Sequence, residues 1–455
     1  MRVLLQSLYK KLEQHPSFEI VGRVVASKGV LFEIVLPRAS IGDLVLFKTK
    51  KGMQEFGEVV AISGKKCFAM PYGTLDGANS ETLVYLKENI QTLKVSPHCL
   101  GRVVDFLGNP LDSVEELGPI EGPFFSLPLK GVVHNPLERA LVNKPVDLGV
   151  KAINAFLTIG EGQRISIMAA SGVGKSMLLS MMAKNSDADV NVLALIGERG
   201  REVSEFIYND LGPEGLKKSV VIVATSDTSA LVRLKAAYTA STIAEYFSSQ
   251  GKSVVLMMDS LTRFAHAHRE ISSSTGETPG PKGHAASLFA ILPKLLERCG
   301  SFKNKGPITG LYTVLAEGND FEDPVVDAVR AITDGHLVLT RDLAEKNHYP
   351  AIDILKSISR VMNQVVSQNH KVVVGYLRTL YAEYLQNEDL LSIGAYVTGA
   401  NPKVDKFLKI REDFFQFLRQ FDEDRSQTSL EAVYTQVIEL ARKAEDIKEE
   451  KENGP

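Results

Sequence analysis

Hydrophobic positions change their spacing twice along the chain, and each change marks a different kind of element. Between about Phe18 and Tyr85, short β-branched runs such as FEIVGRVVAS, VLFEIVLP and GEVVAISG are divided by closely spaced glycine turns. That texture predicts a small β-barrel or sandwich. Ahead of it, Leu4, Leu5, Leu8, Tyr9 and Leu12 recur at helical spacing. They predict an amphipathic helix over residues 1–17, which either packs on its own domain or docks a partner. From about Leu100 to Arg360 the apolar runs become nearly continuous: RISIMAA, VNVLALIG, SVVIVAT, SVVLMMD, ITGLYTVLAE and HLVLT. Such runs suit parallel strands buried on both faces, and the periodic segments between them read as helices. Beyond about Val361 only helical periodicity remains, with Phe414, Phe417, Leu418 and Phe421 expected on one core-facing stripe. The expected organisation is multidomain: an N-terminal β-barrel over 18–88, a central α/β domain over 89–365 and an α-helical C-terminal domain over 366–455.

A length of 455 residues agrees with about three domains. Fifty-two basic against 55 acidic residues leave a net charge of −3, which gives no global attraction to nucleic acid or to an anionic membrane. Cys67, Cys99 and Cys299 lie far apart and form no C-x-x-C pattern, so neither a disulfide framework nor a zinc site is expected. Unpaired thiols suit a reducing cytosol. The N-terminus has no small-residue cleavage site and the chain no 18-residue apolar run, so neither a signal peptide nor a spanning helix is expected.

The segment ISIMAASGVGKSMLLSMMAK carries the chemistry. It follows the phosphate-loop pattern G-x-x-x-x-G-K-[ST], except that Ala169 stands at the first glycine. Such loops work because backbone N–H groups curl round phosphates at a helix N-terminus, where the macrodipole also favours anions. Ser171, Gly172, Val173, Gly174, Lys175, Ser176 and Met177 are the expected nucleotide-binding residues. Lys175 supplies the charge and the Ser176 hydroxyl is placed to ligate Mg²⁺. Alanine at position 169 is acceptable if that residue keeps a negative φ. Downstream, SVVLMMDS is an apolar strand ending in Asp259, the arrangement that holds a Mg²⁺-bound water beside phosphates. ALIGERGREV places Glu198 at the C-terminal end of another strand, where open α/β sheets bind ligands and a carboxylate can polarise an attacking water.

With these motifs in order, the chain resembles the hexameric ATPases related to the catalytic subunit of rotary ATP synthase. GRVVDFLGNPLD, DLGVKAINAFLTIGEGQR and PAIDILKSIS are each similar to that family's segments. Within it, the chain most resembles the ATPases of type III protein export, flagellar or injectisome, through SGVGKSMLLSMMAK, IGERGREVSEFI, MDSLTRFAHAHREI and LLSIGAYVTGANPKVDK. The resemblance implies a RecA-like P-loop domain that hydrolyses ATP with Mg²⁺ in a homohexameric ring. It implies that Glu198 activates the water, with Arg199 and Arg263 as further polar partners. Arg360 then matches an arginine finger reaching a neighbour's γ-phosphate, and Tyr349 an aromatic that stacks on adenine or else a core tyrosine beside Pro350. The implied partners are further copies of itself, a central stalk protein, export chaperones and substrates, and a peripheral stator or regulator at the N-terminal helix. The implied location is cytoplasmic, peripheral to an inner-membrane export apparatus.

One segment departs from the pattern. SSSTGETPGPKGHAASLF has Thr278-Pro279 and Gly283-His284-Ala285 where relatives often carry two prolines and an aromatic. Three other readings stay open: a synthase-type subunit needing a different partner chain, a non-catalytic nucleotide-holding subunit, and an RNA-translocating termination ATPase. Glu198 weighs against the second. The charge balance and the lack of a basic, aromatic-studded N-terminal platform weigh against the third.

Overall fold

The computed structural model describes residues 20–445 apart from 65, 90–91, 114–116, 133–134, 316–322 and 422–424. The expected helix over residues 1–17 lies outside the described residues.

Six strands form the first unit: β1 (Val21–Lys28), β2 (Leu31–Val35), β3 (Asp43–Lys48), β4 (Gln54–Ser63), β5 (Lys66–Pro71) and β6 (Leu83–Asn89). They close into a barrel in the order β1-β2-β5-β4-β3-β6. Register shifts at Val24/Ala26 in β1 and Val59/Ala61 in β4 give the local bends that closure requires. Val24, Ile34, Val45, Phe47, Val59 and Val84 fill the interior. Glu58 of β4 points outward to Lys235 of the central unit at 2.5 Å, and both side chains are largely buried.

The central unit is an eight-stranded sheet in the order β16-β15-β10-β14-β13-β11-β12-β8. Its strands are β8 (Val103–Val104), β10 (Arg164–Ala169), β11 (Val190–Ile196), β12 (Ser219–Ala224), β13 (Val254–Asp259), β14 (Ile308–Leu315), β15 (Gly335–Leu339) and β16 (Ile358–Ser359). All neighbours are parallel except β15–β16. A separate two-stranded ribbon pairs β7 (Thr92–Val95) with β9 (Phe125–Pro128). Every residue of β11 and of β13 is buried, which explains why their sequences are apolar runs without alternation.

The principal helices are α1 (Lys151–Phe156), α2 (Lys175–Asn185), α3 (Gly200–Glu205), α4 (Ala230–Ser249), α5 (Leu261–Thr275), α6 (Ala286–Leu296), α7 (Pro324–Ile332), α8 (Gln368–Gln386), α9 (Pro402–Leu418) and α10 (Leu430–Ala444). Residues of α4, α5, α6 and α7 share one core with one face of the sheet. On the other face, residues of α1 and α2 join those of α8, α9 and α10 in a single continuous core. Phe156 of α1 meets Phe414 of α9 edge-on at 5.7 Å. Among the described residues, no helix is long and apolar enough to cross a membrane.

The expected apolar stripe of the C-terminal helices is one residue too long. Phe414, Phe417 and Leu418 are buried, but α9 ends at Leu418 and Phe421 is 57% exposed. Gln420 causes the exit. Its buried amide accepts from Lys151 N at 2.9 Å and donates to Gly149 O at 2.8 Å, so the chain turns toward α1 instead of continuing the helix.

Candidate functional site

The phosphate loop joins the end of β10 to the start of α2. Ala169 is the last residue of β10, 1% exposed and absent from the positive-φ positions, so the first position of the motif needs no glycine here. Gly172 and Gly174 do need one, with φ of 79° and 86°. A Cβ on Gly174 would also lie 3.1 Å from the Tyr349 ring. Gly174 caps α2 without any side-chain hydrogen bond, and its carbonyl takes its first helical bond from Leu178 N. The N–H groups of Lys175, Ser176 and Met177 therefore open the helix toward solvent, the arrangement that receives phosphate oxygens. Ser171, Gly172, Ser176 and Met177 are exposed, whereas Val173 is buried and anchors the loop in the core.

Three strands deliver the charged groups to the same point. Lys175 Nζ donates to Asp259 Oδ1 at 2.6 Å and to Glu198 Oε1 at 3.3 Å. Asp259 ends β13, and Glu198 follows β11 by one turn residue, so both lie at the carboxyl edge of the sheet. The three side chains retain only 13%, 17% and 4% exposure for Lys175, Glu198 and Asp259. Burial pulls the lysine's pKa down, but its attraction to Asp259 and Glu198 outweighs that and the net shift is upward. Burial pushes Glu198 up, Lys175 opposes, and repulsion from Asp259 adds to the rise. A carboxylate raised in this way is a better proton acceptor than a free one.

One lysine against two carboxylates leaves the cluster at −1. Its free donors are hard oxygens, and a divalent cation would bring it to +1, which suits a polyphosphate. The Ser176 hydroxyl and the Asp259 carboxylate thus fit Mg²⁺, which binds through one or two protein oxygens plus substrate phosphates. Sequence reading missed one member of the cluster. The buried Thr313 hydroxyl on β14 donates to Asp259 Oδ1 at 2.6 Å.

The remaining expected residues are spread out. Tyr349 is half-buried beside the loop, and its carbonyl accepts from Gln420 N at 2.8 Å, so the turn after α9 steadies it. The aliphatic stem of Arg263 lies against Gly197, and its buried Nε has no hydrogen-bond partner. Arg199 turns away: it is 80% exposed and pairs with Glu202 at 3.0 Å. Arg360 is exposed and follows β16, where Ser359 lies opposite Gly335 at the start of β15. Lys175 follows the far end of β10. The two residues therefore sit at opposite ends of the parallel strands, roughly 17–20 Å apart along the strand direction.

Comparison with known proteins places the chain in a family. The nucleotide-binding domain of the ATP synthase alpha/beta family matches residues 149–359, and the C-terminal domain of the type III secretion ATPase EscN matches residues 366–436. The flagellum-specific ATP synthase of Bacillus subtilis is 44% identical over 420 residues, covering 91% of this chain and 94% of that protein. The assembled EscN of enteropathogenic E. coli superposes with a TM-score of 0.84 at 42% identity, covering 92% of this chain and all of the EscN chain. EscN in complex with its central stalk EscO gives 0.83, with the same identity and coverage. The nucleotide-binding domain and the C-terminal helical domain are both matched, 92% of the chain superposes on EscN, and the chain belongs to the ATPases of flagellar and type III secretion export.

Proposed function

We propose that this ATPase hydrolyses ATP with Mg²⁺ at sites shared between copies in a homohexameric ring that energises type III protein export, flagellar or injectisome. The observation that carries the reading is the buried Lys175–Glu198–Asp259 cluster beside an uncapped helix N-terminus. Lys175 and the N–H groups of residues 172–177 bind the β- and γ-phosphates. Tyr349 stacks on the base. Ser176 and Asp259 hold Mg²⁺, which when bound neutralises charge on the phosphate oxygens. Glu198 orients the attacking water and takes its proton. Arg263 lies close enough to Gly197 to support that strand end, whereas Arg199 pairs with Glu202 on the surface and takes no direct part.

Arg360 is too far from its own chain's Lys175 to serve it. It is exposed at the opposite edge, where it is available to a neighbouring copy, as an arginine finger supplied in trans. The assembled state of EscN and its complex with a stalk support the same arrangement here: self-association, and a stalk in the ring's centre. In this reading residues 18–88, 89–365 and 366–455 are barrel, motor and helical units. The segment 1–17 receives a peripheral regulator, export chaperones and substrates are the cargo, and the ring sits on the cytoplasmic face of the export apparatus.

Turnover per subunit, measured across protein concentration alongside sedimentation velocity, tests the shared site. We expect activity to rise in step with the oligomer. A sedimenting monomer with full turnover would contradict it.

A further inference from the structure

We infer that Thr313 is a positioning residue for the reaction: its hydroxyl fixes the Asp259 carboxylate so that one oxygen is held by the protein and the other is presented to the cation. This rests on the reading of Asp259 as a Mg²⁺-holding group.

Thr313 lies within β14, the strand between β10 with its phosphate loop and β13 with Asp259. It is opposite Ile167 in the β10 register, and its strand neighbours Leu311, Tyr312 and Val314 are all buried, the Tyr312 hydroxyl being bonded to Cys299 Sγ. Thr313 itself is fully buried. A hydroxyl in such a place is costly unless it is bonded. It has one proton to give. Oγ1 lies 2.6 Å from Asp259 Oδ1 and 3.4 Å from Met258 O, so the proton goes to the carboxylate, at the short distance of a charge-assisted bond.

The choice of oxygen matters. Lys175 Nζ also contacts Oδ1, at 2.6 Å. Both protein donors therefore fall on one carboxylate oxygen, and Oδ2 is the one left for a cation or its bound water. When Lys175 shares its charge with phosphates, Thr313 is the donor that still holds the carboxylate in place. A neighbour of this kind orients a metal-holding group as outer-shell hydrogen bonds do elsewhere, and losing it typically weakens metal affinity or activity by about 10- to 100-fold.

The test uses the full chain with Thr313→Val, which keeps the β-branched shape and removes the donor, and Thr313→Ser, which keeps the donor. Mn²⁺ binding in the presence of a non-hydrolysable ATP analogue is followed by electron paramagnetic resonance. The Mg²⁺ concentration for half-maximal turnover is measured in parallel. We expect Thr313→Val to weaken Mn²⁺ binding and raise the Mg²⁺ requirement by about tenfold or more, with Thr313→Ser within about twofold of the natural chain. Unchanged Mn²⁺ affinity in Thr313→Val, or an equal loss in Thr313→Ser, overturns the inference. Thr313→Ala is the second donor-free variant and carries the same expectation where valine prevents folding. Asp259→Asn separates the two levels. If it leaves Mn²⁺ affinity unchanged, the reading of Asp259 fails; if it abolishes binding while Thr313→Val does not, only the role of Thr313 fails.

Discussion

Replacing Glu198 by glutamine removes one negative charge from a buried cluster of one lysine and two carboxylates. The lost attraction is that of Glu198 to Lys175 at 3.3 Å, about 5 kcal/mol at an effective dielectric constant of 20. Against it stand the desolvation of the carboxylate, several kcal/mol in an interior, and its repulsion by Asp259. The upward shift of Glu198 says that these two, together with its hydrogen bonding to the Glu202 carboxyl, exceed the attraction. Lys175 keeps Asp259 at 2.6 Å, and the cluster becomes neutral. Glu198→Gln is therefore expected to stabilise the nucleotide-free protein at pH 8 by about 1 kcal/mol, the usual size of a gain from charge optimisation. That corresponds to a rise of roughly 2–4 °C in the melting temperature of a unit of ordinary domain size.

The pH dependence has a definite sign. Glu198 is raised in the fold above its ordinary value of 4.5, so the unfolded chain gives up this proton first. The natural protein then loses stability as pH climbs from 4.5 through the raised value. Glutamine does not titrate. The advantage of Glu198→Gln should be absent below pH 4.5, grow above it and level off, while turnover falls about 10²- to 10⁴-fold through loss of the proton acceptor. Differential scanning fluorimetry without nucleotide at pH 4.5, 6 and 8 reads the first effect. A variant that melts lower than the natural protein at pH 8, or gains most at pH 4.5, would refute the reasoning.

Two substitutions in the phosphate loop separate backbone strain from collision. Gly172→Ala meets open space and suffers only its left-handed backbone, about 1–2 kcal/mol. Gly174→Ala adds a contact of 3.1 Å with the Tyr349 ring, so nucleotide affinity, measured by fluorescence titration, should fall further in Gly174→Ala than in Gly172→Ala. Ala169→Gly restores the missing glycine of the motif. Because Ala169 is an extended, buried strand residue, the change should destabilise the fold by about 0.5–1 kcal/mol in denaturant titrations and leave turnover within about twofold.

What could be read from the sequence was what depends on local pattern. The central strands are buried on both faces, so their residues had to form continuous apolar runs, and the elements observed at Arg164–Ala169 and Val254–Asp259 fall where those runs lie. Asp259 and Glu198 were legible because they stand at or just past the end of such a run, Lys175 because it closes the phosphate-loop motif that follows another, and a parallel sheet brings these strand ends together. Features set by distant parts of the chain were not. Phe421 follows the helical period, but Gln420 is drawn to Gly149 and Lys151 from 269 residues or more away and turns the chain out. Thr313 reads as an ordinary β-branched residue, and only the order of strands puts its hydroxyl on Asp259. Arg199 adjoins Glu198 in sequence, yet it heads α3 and turns to Glu202 on the surface.

The central claim is that one chain supplies Lys175 and Glu198 and another supplies Arg360. Mixing Lys175→Ala with Arg360→Ala tests it most directly, by steady-state ATP turnover at a concentration where the natural protein is assembled. Each variant alone should be near background, since loss of a finger costs about 10³-fold or more. A mixed ring contains some interfaces with an intact lysine facing an intact arginine, so the account predicts partial recovery, greatest near equal proportions. No recovery at any proportion, from variants shown by sedimentation to co-assemble, would contradict a site shared between copies.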